Sequence, residues 1–600
     1  MFKRKLLPSI IMVLAYGFWI SPDFKQIAAG VAIFLFGMLS LEQGFRSFTG
    51  GVLEKILRHT TGSLWKSLGF GVVSTTILQS SSLVSVITIS FLSAGLIGLA
   101  AGIGIIFGAN LGTTTGAWLV AGFGLKVDIA AYAMPMLVFG VLLIFQKSKA
   151  LNGIGYILAG LGFLFLGIHF MKEGFEAFKD SIDLSEFAIP GYRGLFIYTA
   201  IGIFATVVMQ SSHATLVLII TALAAQQITY ENALALAIGA NIGTTITAII
   251  GSMSANIQGK RLAGAHLIFN LATGFIAILF IHQFVQIVNV VSTAVGIAGD
   301  DYTLKLAVFH TIFNLVGVIV MIPFINMMVR WLEEIFKERE SPVEQPKYLT
   351  DSALEFADTA VEAVRMETLH LYDNAIEIIA EVIGISMSEI NSETDLEQLL
   401  SRRKIIPKVN IDARYDISIK GIFSAIIAFI SEVKFNWQLE QSGDLAWLRR
   451  ASRNIVEAIK STKHLQKNLL KLSQSENKYA AQQYQNIRLN LAQLLRELED
   501  IRHESDPDIK ILSMDSIKVS MEGGDEKLNN EIDELIRNGK IASVTGASMI
   551  NDSSYLFDIK NNLTQFFETL FVAQAREHTK VERKLALDDD EITKIHEASN

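Results

Sequence analysis

Residues 67–125 contain no Asp, Glu, Lys or Arg, yet Gln79, Ser80, Ser81 and Ser82 stand in a row inside that run. So long an uncharged stretch constrains the fold, because a helix crosses a bilayer with roughly 17–25 apolar residues. Polar groups at that depth cost several kcal/mol each unless they are satisfied or line a protected cavity. The same combination returns in "TVVMQSSHATLV", residues 206–217.

Apolar runs of spanning length recur near 5–20, 26–41, 96–122, 127–146, 152–171, 231–252, 261–285 and 304–330. Two more, 67–95 and 194–224, are broken in the middle by the Gln-Ser-Ser motifs. The N-terminal run lacks a small-residue cleavage site before "SPDFK" and reads as an uncleaved first helix. The composition changes near residue 340. Residues 1–340 carry 20 Lys and Arg against 16 Asp and Glu, whereas 341–600 carry 31 against 43. The overall charge of −8 therefore comes from the tail, and no basic patch suggests nucleic acid. The chain has no cysteine, which excludes disulfides, zinc thiolates and thiol catalysis.

The first half is internally duplicated. Gln79 and Gln210 are 131 residues apart, as are Asn110 and Asn241 in "GANLGTTTGA" and "GANIGTTITA". Upstream, "FGMLSLEQGFRSF" (36–48) matches "LGIHFMKEGFEAF" (166–178) at an offset of 130. If each Gln-Ser-Ser run is a re-entrant hairpin, a unit crosses three times and the next unit is inverted. If each run crosses, the copies are parallel. Basic residues favour the cytoplasmic side. Hairpins place Lys3, Arg4, Lys5, the 42–66 loop, Lys147, Lys149, Lys260 and Arg261 inside. They place the acidic 172–193 loop, Asp300 and Asp301 outside. The charges thus predict eight spans, two hairpins and a cytoplasmic tail.

A hairpin of two half-length helices needs a tip, and Ser is a good N-cap for the returning helix. Free N–H groups and the positive end of the helix dipole meet there. Two such tips from inverted units would converge, as in many secondary transporters. The Gly-Ala-Asn-x-Gly-Thr segments are expected to unwind their spans and offer Asn and Thr oxygens to a hard cation such as Na⁺. Gly, Ser and Thr also line ordinary membrane helix contacts, but four clusters duplicated in register argue for a site. The hairpins and broken spans hold no Lys or Arg, so a bound anion would need cations for charge balance.

With these motifs the chain resembles the type II sodium-dependent inorganic phosphate cotransporters. That family has two inverted repeats, each with a Gln-Ser-Ser hairpin followed by Gly-Ala-Asn-x-Gly-Thr. "AGAHLIFN" (263–270) and "AVFHTIFN" (307–314) match a further pattern of the family, and the resemblance covers about residues 26–330. It implies phosphate contacts at Gln79, Ser80, Ser81, Ser82, Gln210, Ser211, Ser212, His213, Asn110 and Asn241. It implies sodium contacts at Gln79, Ser81, Asn110, Thr113, Thr114, Gln210, Ser212, Asn241, Thr244 and Thr245. His213 is a departure, standing where the first copy has Ser82. It reads equally as a ligand or as a ring packed beside the tip. His266 and His310 are expected to bond neighbouring helices.

From about 349 the sequence reads as soluble helices, with Val361, Val364, Leu371, Ile378 and Val382 on one stripe. Further helices are expected near 418–435, 445–475, 479–502 and 560–585. Position and "METLHLYDNAIEII" (366–379) resemble a PhoU-type regulatory bundle. Such bundles can hold metal through acidic clusters, and Asp358 and Glu362 are candidates, but a solvated helix face is the preferred reading of the pair.

The resulting expectation is an all-α polytopic protein of the bacterial inner membrane with cytoplasmic termini. Its parts are a first membrane helix (1–25), repeat unit 1 (26–146), inverted repeat unit 2 (152–285), a last membrane helix (304–330), a linker (331–352) and a PhoU-like domain (353–600). The expected function is sodium-coupled symport of inorganic phosphate, with Na⁺ as coupling ion, no cofactor and a regulatory partner or second copy at the tail. The alternative is a phosphate sensor without net transport. No nucleophile, metal triad or nucleotide loop argues for an enzyme. Because the chain lacks cysteine, single cysteines test topology cleanly. Those at Asp183 and Asp300 should react with an impermeant external thiol reagent, and one at Ser148 should not. Labelling of Ser148 but not Asp183 from outside would overturn the inverted arrangement.

Overall fold

A computed structural model of the chain describes residues 11–12, 14–49, 63–124, 129–181, 188–337, 343–355, 357–403, 405–433 and 439–572. Lys3, Arg4, Lys5, most of the 42–66 loop, Asp183 and Pro342 lie outside the described residues, as does the end of the 560–585 helix. The chain forms two compact units, Met1–Glu338 with Thr350–Ser352, and Arg339–Leu349 with Ala353–Asn600. Described residues are helical with no strand.

The first unit is organised by glycine. Helix α1 (Pro22–Thr49) carries Gly30, Gly37 and Gly44, and α7 (Lys149–Ser181) carries Gly153, Gly160, Gly167 and Gly174. A seven-residue period keeps these on one helix face. A Cβ added at Gly30, Gly37 or Gly44 would lie 2.5–2.8 Å from the nearest atoms of Met171, Leu164 or Ile157. As one number rises by seven the other falls by seven, so α1 and α7 pack antiparallel, backbone against backbone. The same contacts recur 130 residues on with the roles exchanged. Gly160 lies against Leu41, Gly167 against Phe34 and Gly174 against Ile27, with a Cβ at each 2.6–2.7 Å from the nearest atom.

Glycine also sets the rest of each unit. Helices α2 (Leu64–Leu78), α3 (Ser81–Ser93) and α4 (Leu99–Gly112) follow α1. Gly104 meets Leu64, Gly108 meets Leu68 and Gly112 meets Val72, so α2 and α4 run parallel. The intervening α3 must therefore carry the chain back. At about 1.5 Å per residue, α2 and α3 are each roughly 20 Å long, short of a full crossing. After α4 come α5 (Thr114–Trp118) and α6 (Ile129–Ile144). Within the same compact unit, repeat unit 2 follows this plan with α8 (Gly191–Met209), α9 (Ser212–Ala224), α10 (Tyr230–Gly243), α11 (Thr245–Ser252) and α12 (Ile257–Leu279). Gly239 approaches the Thr199 carbonyl as Gly108 approaches that of Leu68, with a Cβ at 2.1 and 2.0 Å respectively.

Several boundaries differ from the expected ones. Among the described residues seven helices are long and apolar enough to cross a membrane, and Gly191–Met209, the first arm of the second hairpin, is one of them. The 261–285 run ends at Phe280, whose φ of −107° and ψ of 26° start a separate helix α13 (Ile281–Ala294). The last run is α14 (Tyr302–Met321), a 3₁₀ turn at Pro323, and α15 (Ile325–Ile335). Proline removes an intrahelical bond, hence the break.

The tail unit is a bundle. Its α16 (Ala357–Ile383), α20 (Lys420–Glu432), α21 (Leu439–Leu472) and α22 (Lys478–His503) agree with the expected helices, and the short α17 (Met387–Ile390), α18 (Leu396–Arg402) and α19 (Ile411–Ser418) lie between α16 and α20. Val364, Leu371, Ile378 and Val382 of the stripe are fully buried. Helix α23 (Pro507–Arg537) lies outside the segments expected to be helical, and α24 (Ser543–Phe567) begins earlier than the sequence pattern suggests. Tyr372 stacks on Phe566 at 4.9 Å and donates to Glu499 at 3.0 Å. Burial, then the Glu499 charge, pushes its phenol well above the usual range. Buried Arg488 donates to the Ile383 carbonyl at the end of α16, just before Gly384 at φ +81°. Burial and then Arg403 lower its pKa to about 10.

The expected linker is partly docked. The Lys347 and Tyr348 N–H groups each donate to buried Glu367 at 2.8 Å, and His370 bonds its other oxygen at 2.7 Å. Glu362 is buried and clamped by Arg365 at 2.7–3.1 Å, which corrects the solvated-face reading. Among the described residues no group of three His, Asp or Glu could hold a metal.

The glycine contacts make a prediction. Gly37→Ala should destabilise the detergent-solubilised protein by about 1–3 kcal/mol through overpacking, whereas Gly69→Ala, with nothing within 4 Å of the new Cβ, should be neutral. Thermal unfolding of both variants checks it.

Candidate functional site

Both Gln-Ser-Ser motifs reverse the chain in the same way. Gln79 ends α2 in the left-handed region, at φ 51° and ψ 24°, and Gln210 ends α8 at φ 52° and ψ 24°. Only Gln226 shares positive φ among the described non-glycine residues. Holding a non-glycine residue there costs of order 1–3 kcal/mol. The next residue is extended in each case, at φ −142° for Ser80 and −148° for Ser211. Their hydroxyls accept from Leu83 N at 3.2 Å and Ala214 N at 3.1 Å, forming the expected N-caps.

The Gly-Ala-Asn segments do not unwind as expected. The helix is interrupted for one residue, Thr113 or Thr244, and both keep right-handed helical angles. Carbonyls freed at the break are taken by threonine hydroxyls. Thr113 donates to Asn110 O at 2.6 Å, Thr114 to Leu111 O at 2.8 Å and Thr115 to Gly112 O at 2.8 Å. In the second copy Thr245 donates to Ile242 O at 2.8 Å, while Thr244 and Thr247 donate at 3.0 and 2.8 Å to Ala240 O and Thr244 O, which backbone N–H groups also reach.

The fold brings the four motifs together. Gln79 Nε2 donates to Thr115 Oγ1 at 3.1 Å, tying the first tip to its own broken helix. Ser82 Oγ lies 3.3 Å from Thr247 Oγ1, tying the same tip to the second unit. His213, at the second tip, lies over Gly116 of the first unit. Ser81 is buried, Ser80, Ser82, Ser211 and Ser212 are half-buried, and Gln210 is exposed. The two asparagines differ. Asn110 bonds within its helix, to Ile106 O at 2.9 Å, while Asn241 donates across to Asn314 Oδ1 at 2.8 Å. His310 Nε2 is 3.4 Å from Asn241 Oδ1, so it bonds a neighbouring helix as expected. His266 does not: neither ring nitrogen has a partner among the described residues. The sequence reading missed Thr115, Gly116, Thr247 and Asn314. The repeat offset equates Gly116 with Thr247, but only tertiary contact shows what each one meets.

Comparison with known proteins agrees with this organisation. The family model described as Na+/Pi-cotransporter matches residues 33–173 and 193–322, taking in both units. "Putative inorganic phosphate export protein YjbB" of Escherichia coli (strain K12) is 26% identical over 388 residues, covering 62% of this chain and 67% of that protein. The protein of the same name from Salmonella typhimurium is 25% identical over the same length and shares. "Uncharacterized protein YqeW" of Bacillus subtilis (strain 168) is 27% identical over 314 residues, which is 51% of this chain and 95% of YqeW. No solved structure matches. The matched family is one of transporters, not enzymes, and the apolar helices make this a multi-pass membrane protein.

The repeats also differ in a buried threonine pair. Thr206 donates to Thr215 at 3.0 Å, whereas the hydroxyl of its equivalent Thr75 has no partner among the described residues, Val84 standing where the second copy has Thr215. Thr75→Val should therefore leave stability unchanged or raise it, and Thr206→Val should cost about 0.5–1.5 kcal/mol, as read by thermal unfolding.

Proposed function

We propose that this chain belongs to the Na+/Pi-cotransporter family and moves inorganic phosphate across the cytoplasmic membrane by alternating access, coupled to sodium. The observation that carries this reading is the convergence of both tips and both broken helices on one another, with Ser82 beside Thr247 and His213 beside Gly116. The antiparallel packing of α1 on its own repeat equivalent α7 supports inverted units, since a parallel duplication would send equivalent helices the same way.

Gln79, Ser80, Ser81, Ser82, Gln210, Ser211, Ser212 and His213 are the proposed phosphate contacts, completed by Asn110 and Asn241. Sodium takes oxygens of Gln79, Ser81, Asn110, Thr113, Thr114, Gln210, Ser212, Asn241, Thr244 and Thr245. Charge requires the coupling ion. A doubly charged phosphate among neutral donors meets a penalty of several kcal/mol at least, and helix ends return about 0.3–2 kcal/mol each. Two Na⁺ make the cycle electroneutral. A third moves one charge, worth about 2.3 kcal/mol per 100 mV. The tail is proposed as a cytoplasmic PhoU-like regulator, in keeping with YqeW, nearly all of which is matched by half of this chain. The name of YjbB concerns export; in this chain the ion gradients set the net direction.

In proteoliposomes, replacing sodium by choline should abolish phosphate accumulation rather than slow it. Gln79→Ala and Gln210→Ala should each reduce flux by roughly tenfold or more. Full accumulation in choline overturns sodium coupling, near-normal flux in either variant overturns the shared site, and saturable binding without accumulation identifies a sensor.

A further inference from the structure

Each hairpin tip touches the broken helix of the opposite repeat unit, and these two touches occupy equivalent places. The repeat offset of 131 carries Ser82 onto His213 and Gly116 onto Thr247. In one half, then, a small hydroxyl residue on the tip meets a threonine, with 3.3 Å between their oxygens. In the other half a large ring on the tip meets a residue with no side chain. A Cβ at Gly116 would lie 1.9 Å from His213 Cε1, 2.5 Å from Nδ1 and 2.8 Å from Nε2. Approaches that short do not occur in real structures, so nothing larger than hydrogen fits while the ring keeps its place.

The ring has little freedom to leave. His213 is 9% exposed and stacks on Phe34 of α1, with centroids 5.8 Å apart and planes at 23°. Phe34 is itself fully buried and lies against Gly167 in the α1–α7 seam. His213 makes no hydrogen bond to the protein among the described residues, so packing and not bonding fixes it. Gly116 does not need glycine for its own conformation, because it lies within α5 and its φ is not positive. Its small size is explained by its partner.

We infer that Gly116 and His213 are a size-matched pair that positions the second tip against the first unit's broken helix, doing with shape what Ser82 and Thr247 do with hydroxyls. Gly116 is a positioning residue that acts through His213. The pair makes the two halves of the site chemically unequal: one cross-contact joins two hydroxyls, and the other presents an imidazole whose nitrogens have no protein partner. This inference deepens the transport reading and rests on it for its kinetic consequence, but the geometric match stands independently of the substrate.

Three full-length variants test it: Gly116→Thr, His213→Ser, and the double variant, which rebuilds in the second half the residue pair that the first half already has. Gly116→Thr should lower the melting temperature and reduce phosphate flux by roughly tenfold or more. The double variant should recover the melting temperature, with a changed KM for phosphate because the imidazole, a proposed phosphate contact, is gone. A cysteine pair at Ser82 and Thr247, and a second at Gly116 and His213, should each cross-link under mild oxidation in membranes. If Gly116→Thr alone melts and transports as the parent does, or if the double variant melts no higher than Gly116→Thr, the matched pair is overturned. Failure of both cysteine pairs to cross-link also overturns it. If the parent itself moves no phosphate, the transport reading fails; melting and cross-linking then still decide whether the pair is matched.

Discussion

The membrane unit depends on backbone reaching backbone. In hydrocarbon no hydrophobic force drives one apolar helix onto another, so association rests on close packing, which small residues permit. Here the small residue is glycine at every seventh position of α1 and α7, held within van der Waals contact of the facing main chain along the whole seam. Phe34, which stacks on His213, and Leu164 are fully buried beside that seam. The position of the second tip is therefore set from the seam outward.

The tips answer a different constraint. A chain that turns back among apolar neighbours must satisfy the backbone groups that two helix ends expose. Gln79 and Gln210 make the turn in the left-handed region, and Ser80 and Ser211 cap the returning helix, so one four-residue device is used twice. The broken helices use threonine in the same spirit, since their hydroxyls cover carbonyls that the break leaves open. Tips and breaks built this way are polar without being charged.

Much of this was legible beforehand. The duplication, the chain reversals and the serine caps follow from spacing and from residue chemistry at a helix end. The expectation of unwound spans did not hold, because Thr113 and Thr244 stay in helical conformation and threonine hydroxyls bond back to the preceding turn. Helix α23 carries Gly523-Gly524 in its interior, at a cost of about 1 kcal/mol per glycine that helix packing can outweigh. Within the expected linker, the Lys347 and Tyr348 N–H groups are taken by buried Glu367, a contact that sequence distance conceals.

The sequence by itself determined the division into a membrane half and a charged tail, the repeat, and the identity of the turn and cap residues. These are local matters, governed by hydropathy, helix-end chemistry and fixed offsets along the chain. Only the tertiary structure decided that the glycines of α1 and α7 face each other, that Asn241 and not Asn110 bonds across to another helix, and that His213 fills the space above Gly116. Contacts between residues 70 to 165 positions apart depend on how helices cross, and crossing is settled by the complementary shapes of whole surfaces, which no single motif records.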